Sequence, residues 1–233
     1  MAARASSDLD INSPPTSLEW VTVKTTLPKL PLEPIATRPS VRTERLLLRP
    51  IRESDAEAIH EMRTQEEVMV WTSKGTVDVD MEETKKSMEN KLPPNDITNF
   101  DFAICLHETG QLLGVGGCFK RLGELGWPSI GYMLRKEAWG KGYGSEFLGG
   151  FLKAWWALPR EEVEYTVERN TVDGEGGVEE ERIVAVTIVE NKASQNVMKK
   201  NGLRLVKVWE EEDLRGSGEM VTLLGFAIKK PEA

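Results

Sequence analysis

The stretch Ile130-Gly131-Tyr132-Met133-Leu134, followed by Trp139-Gly140-Lys141-Gly142-Tyr143-Gly144-Ser145-Glu146, is the most informative in the chain. A strand-like run leads into glycines at 140, 142 and 144 and then directly into a helical pattern. Alternate glycines let backbone N–H groups point into one concavity, with no Cβ in the way. The helix N-terminus behind them adds partial positive charge, so the segment reads as a pyrophosphate cradle. It is not a Walker loop, because Lys141 precedes Gly142 and no Ser or Thr follows that lysine. Nor is it the dinucleotide fingerprint, because the spacing is G-x-G-x-G. A Gly-rich turn without a ligand is the alternative on these residues alone.

On either side of this segment the pattern is that of a mixed α/β domain. Upstream, Arg45–Arg49 reads as a first strand stopped by Pro50. Ser54-Asp55-Ala56-Glu57 reads as a capping box opening a helix to about Met69, and a second helix is expected from Asp80 to Lys91. Phe100–Leu106 and Leu112–Phe119 flank the turn His107-Glu108-Thr109-Gly110 and predict an antiparallel hairpin. Ser129–Leu134 is the next strand, and Tyr143–Ala157 the helix behind the glycines, stopped by Pro159. Downstream come a strand over Ile183–Val189, a helix over Ser194–Asn201 closed by Gly202, and a last hairpin of Leu203–Trp209 and Met220–Ile228 around Leu214-Arg215-Gly216-Ser217-Gly218. Residues 1–40, rich in Ser, Thr and Pro, read as an extended or disordered tail. Residues 160–182, with nine acids against three arginines, read as a solvated loop insertion that can attract a cationic partner. The ordered domain is expected over 41–229, with 230–233 as a short tail.

Composition narrows the class. The 233 residues carry 38 acids and 30 bases, a formal charge of −8, which argues against a nucleic-acid binder working through a basic face. No apolar run approaches the ~18 residues of a membrane span; the longest, Phe147–Leu158, holds Lys153. No secretory signal is visible at the N-terminus. Two cysteines and two histidines make neither a disulfide framework nor a recognisable metal site. The expectation is a cytoplasmic or nucleocytoplasmic protein with no metal.

Three elements together resemble the GNAT superfamily of N-acetyltransferases. The first is the strand–glycine–helix segment, similar to the family's [Q/R]-x-x-G-x-[G/A] signature, with Trp139 at the Gln/Arg position. The second is Asn191-Lys192-Ala193-Ser194 with Val197, Met198, Lys200 and Asn201-Gly202-Leu203. The third is Thr43-Glu44-Arg45-Leu46-Leu47-Leu48-Arg49-Pro50, which resembles the branch that includes ribosomal-protein N-acetyltransferases. The resemblance implies an α/β (α+β) fold, with a mixed, mostly antiparallel sheet splayed between its fourth and fifth strands and helices on both faces. It implies acetyl-CoA as acyl donor. Backbone groups of Met133, Leu134 and Arg135 would pair with the pantetheine arm as an added strand would. Trp139, Gly140, Lys141, Gly142, Tyr143, Gly144 and Ser145 would hold the pyrophosphate. Asn191 would bond the pantetheine and Ser194 would lie near the sulfur; helix capping is the plainer reading of both.

The sequence departs from the family where catalysis is concerned. The usual acid Tyr is replaced by Met198 and the usual Glu of the fourth strand by Ser129. Ser194 is then the best remaining donor to sulfur, with Tyr132 behind it. Glu190 is taken as the base ahead of Glu210, Asp101 and Glu124, and catalysis by positioning alone is a further possibility. Cys105, Cys118, Trp155 and Trp156 read as core residues, His60 and His107 as surface or packing residues, and Trp71 and Trp127 as candidates to line the acceptor site. The function expected is transfer of acetyl to a primary amine, on a protein N-terminus or a small molecule, by direct attack on the thioester. The alternative is an acyl-CoA-binding regulatory module without turnover.

Overall fold

Hydrophobic alternation and the helical patterns place the core, and the structure shows how they assemble. In the computed structural model the described residues are 9–215 and 218–231. They begin with strand β1 (Trp20–Pro28), the short β2 (Val41–Arg42) and β3 (Leu46–Arg49). Helices α1 (Ala56–Arg63), α2 (Glu66–Met69) and α3 (Met81–Met88) follow. Then come β4 (Phe100–Leu106), β5 (Leu112–Lys120), β6 (Ser129–Leu134) and the long helix α4 (Tyr143–Trp156). The chain continues through β7 (Arg160–Glu168), β8 (Gly177–Val178) and β9 (Arg182–Ile188). It ends with α5 (Lys192–Lys200), β10 (Arg204–Glu212) and β11 (Met220–Lys229). The last hairpin forms as expected; Gly216 and Ser217 of its turn, like residues 1–8 and 232–233, lie outside the described residues.

Eight strands make one sheet in the order β10-β11-β9-β6-β5-β4-β3-β2. Every neighbouring pair is antiparallel except β6 and β9. On one face α4 packs Phe147, Phe151 and Trp155 against Phe100 and Phe102 of β4, with ring centroids 4.9–6.5 Å apart, Phe151 stacked on Trp155 and the other pairs edge-on or tilted. On the other face Ile59 and Met62 of α1 cover Ala103 and Cys105. Helices thus lie on both faces, and both cysteines are buried core residues.

The N-terminal segment and the acidic segment depart from expectation together. Residues 20–28 are not a disordered tail, and 160–182 is not a solvated loop. β1 pairs antiparallel with β7 over nine register positions, from Trp20–Glu168 to Pro28–Arg160, and parallel with β8, giving a second sheet in the order β7-β1-β8. Val23 and Leu27 are buried in β1, and Val167 in β7 joins Val23, Trp127, Val184 and Trp209 in a third core. The acids of the insertion are committed to ion pairs: Glu181 with Arg160 at 2.6 Å, Asp173 with Arg182 at 3.0 Å, and Glu168 with Lys207 at 2.9 Å. They are structural partners and offer little free charge to a cationic ligand. Trp127 is likewise corrected: it is fully buried, and its indole N–H donates to Thr171 Oγ1 at 2.7 Å.

The first helix is shorter than its periodicity suggests. Ser54 does not cap it. Asp55 accepts the N–H of Arg52 at 2.8 Å and grips Arg49 through two bonds of 2.6 and 2.8 Å. Residues 53–55 are therefore a single 3₁₀ turn, and a break at Thr64–Gln65 separates α1 from α2.

Candidate active site

The parallel pairing of β6 with β9 consists of one register position, Ser129 opposite Val184. Beyond it the strands part, which is the splay expected between the fourth and fifth strands of a GNAT sheet. The ladder with β5 fixes which groups face that opening. Arg135 N–H donates to Leu113 O at 2.8 Å, and Leu134 and Met133 stand opposite Gly114 and Val115. Bonded and non-bonded pairs alternate in an antiparallel ladder, so Met133 and Arg135 turn their amides toward β5. Tyr132 and Leu134 turn theirs toward the opening. This corrects the expectation for Met133 and Arg135: of the three residues, Leu134 alone presents its backbone to the cleft, and Tyr132 joins it. The carbonyl of Leu134 is already engaged by the Trp139 indole N–H at 2.8 Å. The free edge therefore offers the N–H groups of Tyr132 and Leu134 and the carbonyl of Tyr132.

The glycine loop follows at the end of this edge. Gly140 and Gly142 have φ of 72° and 82°, values that only glycine adopts readily. Gly142 is the N-cap of α4 and has no side-chain cap. The N–H groups of Tyr143, Gly144 and Ser145 are thus left for an external acceptor, as at any uncapped helix start. A Cβ at Gly140 would meet nothing within 4 Å, so the outer side of the loop is open. At Gly144 a Cβ would lie 3.2 Å from Val197 and 3.7 Å from Leu134, so that glycine serves close packing of α4 on α5 and β6. An open anion cradle at a helix start, in line with an exposed strand edge, fits a long donor that carries a diphosphate at one end.

Beside the opening, Asn191 caps α5. Its Oδ1 accepts the N–H of Ser194 at 3.0 Å, so the capping reading of Asn191 holds, with its side-chain amide left to donate elsewhere. Ser194 Oγ lies 3.1 Å from Tyr132 Oη. Tyr132 is packed on Phe147 with ring centroids 5.8 Å apart, and burial pushes its phenol up to about 12. Met198 is buried in the same core. Gln195, also buried, donates to Val189 O at 2.8 Å and fixes the end of β9 to α5.

An open cleft of about 390 Å³ is lined by Trp71, Ile188, Glu190, Arg215 and Thr222. Arg215, which follows β10, ties this lining to the end of α2: it donates to Val70 O at 3.2 Å and pairs with Asp213 at 2.6 Å. Glu190 and Trp71 thus share one cleft. The other carboxylates considered as bases are placed differently. Glu210 lines a separate groove against Pro15–Leu18. Glu124 is paired with Lys120 at 2.6 Å and reaches to 3.5 Å from Ser129 Oγ, the position at which the family resemblance leads one to expect a glutamate. Asp101 is buried in β4, with Oδ2 lacking a partner and burial raising its carboxyl above the ordinary range.

Two supports were invisible to pattern reading. Arg45 joins Glu146 across 101 residues, bracing the glycine loop. Gln65 accepts the N–H of Lys136 at 2.8 Å and bonds Glu137, fastening the segment after β6 to α2. No local spacing signals either, because the partners lie 101 and 71 residues apart in the chain.

Comparison with known proteins bears on the family and the fold. The family model of the acetyltransferase (GNAT) domain matches residues 45–204. The chain belongs to that family and is an acetyltransferase. No curated protein matches it. Among solved structures it is similar to a GNAT acetyltransferase from Bacillus anthracis, with 24% identity and a TM-score of 0.63 over 83% of this chain and 100% of that one. It is also similar to spermidine N-acetyltransferase from Vibrio cholerae in complex with CoA and spermine, at 14% identity and TM-score 0.58 over 81% and 97% of the two chains. A third is the ribosomal-protein α-N-acetyltransferase RimL in complex with coenzyme A, at 16% identity and TM-score 0.59 over 82% and 98%. Among the described residues no helix is long and apolar enough to cross a membrane.

Proposed function

We propose that the chain moves acetyl from acetyl-CoA to a primary amine, on a protein N-terminus or a small molecule, that enters through the cleft between Trp71 and Glu190. The observation that carries this reading is the alignment of three features. The N–H groups of Tyr132 and Leu134 face the splay, the uncapped start of α4 lies beyond them, and Ser194 stands beside them. The strand edge takes the pantetheine arm as an added strand, and the glycine loop takes the diphosphate. Tyr132 N–H, at the point where β9 departs, is placed to bond the thioester oxygen and its developing charge.

In this reading Glu190 accepts the proton of the attacking amine, directly or through one water, and Ser194 donates to the departing sulfur. Trp71 offers an aromatic face to the cationic amine before it is deprotonated. Glu124 is the second candidate for the base, favoured by its approach to Ser129. Comparing Glu190→Gln with Glu124→Gln separates them: the variant of the true base loses turnover at neutral pH and keeps CoA affinity.

The test of the whole reading is CoA thiol release, with acetyl-CoA binding measured in parallel, against polyamines, amino acids, aminoglycosides and N-terminal peptides. Amine-dependent release identifies the acceptor class. Binding that survives unchanged in Gly142→Val would sink the placement of the diphosphate.

A further inference from the structure

The motif Thr43-Glu44-Arg45-Leu46 opens the main sheet, and the transfer reaction as described makes no use of it. In the structure Thr43 and Arg45 of this motif reach the start of α4. Arg45 donates its backbone N–H to Glu146 Oε1 and its Nε to Glu146 Oε2, both at 2.7 Å. Thr43 Oγ1 donates to the same carboxylate at 2.5 Å. With Glu146 holding one edge of the guanidinium, Nη1 donates to the carbonyl of Lys141 at 3.0 Å. The guanidinium also covers the Tyr143 ring, 4.7 Å from its centroid. A Cβ on Gly142 would stand 3.4 Å from Nη2.

These contacts fix one peptide plane. In a trans peptide the C=O and the N–H point in opposite directions. With the oxygen of Lys141 held on Arg45, the N–H of Gly142 faces away from Arg45. Glycine accepts both signs of φ, so without the bond the Lys141–Gly142 peptide can turn over at little cost. Turned over, it would present a carbonyl oxygen where the cradle needs a donor, and an anion there would be repelled. Losing Arg45 would also leave the Glu146 carboxylate uncompensated in the first turn of α4, close to the same anion.

We infer that Arg45 is a positioning residue that locks the Lys141–Gly142 peptide with its N–H toward the diphosphate of the donor, with Glu146 and Thr43 holding Arg45 in place. This rests on the reading that the glycine loop takes that diphosphate. It assigns the Thr43–Arg45 motif to donor affinity and leaves the chemical step untouched.

The experiment compares two acyl donors, acetyl-CoA and S-acetyl-pantetheine, which lacks the diphosphate. For Arg45→Met and Arg45→Lys, the dissociation constant of CoA and the KM of acetyl-CoA should each rise about tenfold, the effect of losing one charge-assisted contact set. KM for S-acetyl-pantetheine and kcat at saturating acetyl-CoA should stay within about twofold. Arg45→Lys keeps the charge but not the fork that reaches Glu146 and Lys141 O together. Weakening in that variant therefore tells the lock from a mere field effect, and a thermal melt of each variant checks its folding. Wild-type CoA affinity in both Arg45 variants, with affinity lost in Gly142→Val, overturns the lock and keeps the loop reading. Wild-type affinity in all three overturns the loop reading itself. Equal weakening toward both donors, or a fall in kcat, also overturns the lock, since Arg45 would then act through the fold.

Discussion

The phenolic oxygen of Tyr132 stands 3.1 Å from Oγ of Ser194, tying β6 to α5 across the open edge of the sheet. Burial raises the Tyr132 phenol to about 12, above the range in which a thiol titrates. Handing the phenolic proton to the departing thiolate would therefore be uphill. Tyr132 is better suited to remain protonated and donate to Ser194, which turns the serine hydroxyl hydrogen toward the cleft. Ser194→Ala should lower kcat by roughly 10- to 100-fold, and Tyr132→Phe by ~3- to 10-fold. The pH–rate profile of Tyr132→Phe below pH ~10 should overlay that of wild type, since the group does not titrate there. Loss of an alkaline limb in that variant would instead make Tyr132 the acid.

Asp101 and the pH dependence of stability give a second prediction. Burial raises its carboxyl, with Lys91 and Arg38 pulling the other way, and Oδ2 has no partner. A carboxyl raised in the folded state binds its proton more tightly there than in the unfolded chain. Its contribution is fully present below the ordinary carboxylate range and is lost as pH rises through the folded value. The melting temperature of Asp101→Asn relative to wild type should therefore climb between pH 4 and pH 8. Parallel Tm–pH curves for the two proteins would show that the carboxyl does not titrate differently on folding.

Asp78 has the opposite sign. Its carboxylate is fully buried and bonded by Arg63 at 2.5 and 2.9 Å, Thr84 at 2.6 Å and Lys74 at 2.9 Å. Burial alone would raise it, but these partners hold it well below the usual range. Its stabilisation is present above that range and is lost on acidification through the folded value. Asp78→Asn leaves Arg63 and Lys74 uncompensated and should cost about 3–5 kcal/mol, read from denaturant midpoints at pH 7. Because Asp78 anchors the segment that follows Trp71, KM for the acceptor should rise more than KM for acetyl-CoA.

The strands of the main sheet, α4 and α5 were legible because their signals are local: period-two runs, caps and glycines with a backbone reason; the splay was implied only by the family resemblance. The second sheet was equally written in the residues. Val21, Val23, Thr25 and Leu27 alternate along β1, and Val163, Tyr165 and Val167 alternate with glutamates along β7. Composition masked it, since flanking prolines and a run of acids read as tail and loop, and neither strand has a neighbour in sequence to pair with. The orientation of Met133 and Arg135 was hidden for another reason. Which edge a strand's amides face depends on register with β5, and register is a property of the pair.

That second sheet is fastened to the first by an ion pair that sequence reading assigned to solvent. Lys207 of β10 meets Glu168 of β7 at 2.9 Å, both side chains almost wholly buried, and Lys207 also donates to Ser17 O at 2.7 Å in the N-terminal arm. Removing one partner from a buried pair strands the other charge, so Lys207→Met should cost about 3–5 kcal/mol in chemical denaturation. Replacing both, Glu168→Leu with Lys207→Met, exchanges two desolvated charges for apolar packing and should recover most of that loss. A double variant no more stable than Lys207→Met would mean that the ammonium stabilises chiefly through Ser17 and the arm. In either case the CoA affinity of folded protein should be unchanged, since Lys207 and Glu168 lie outside the donor cleft.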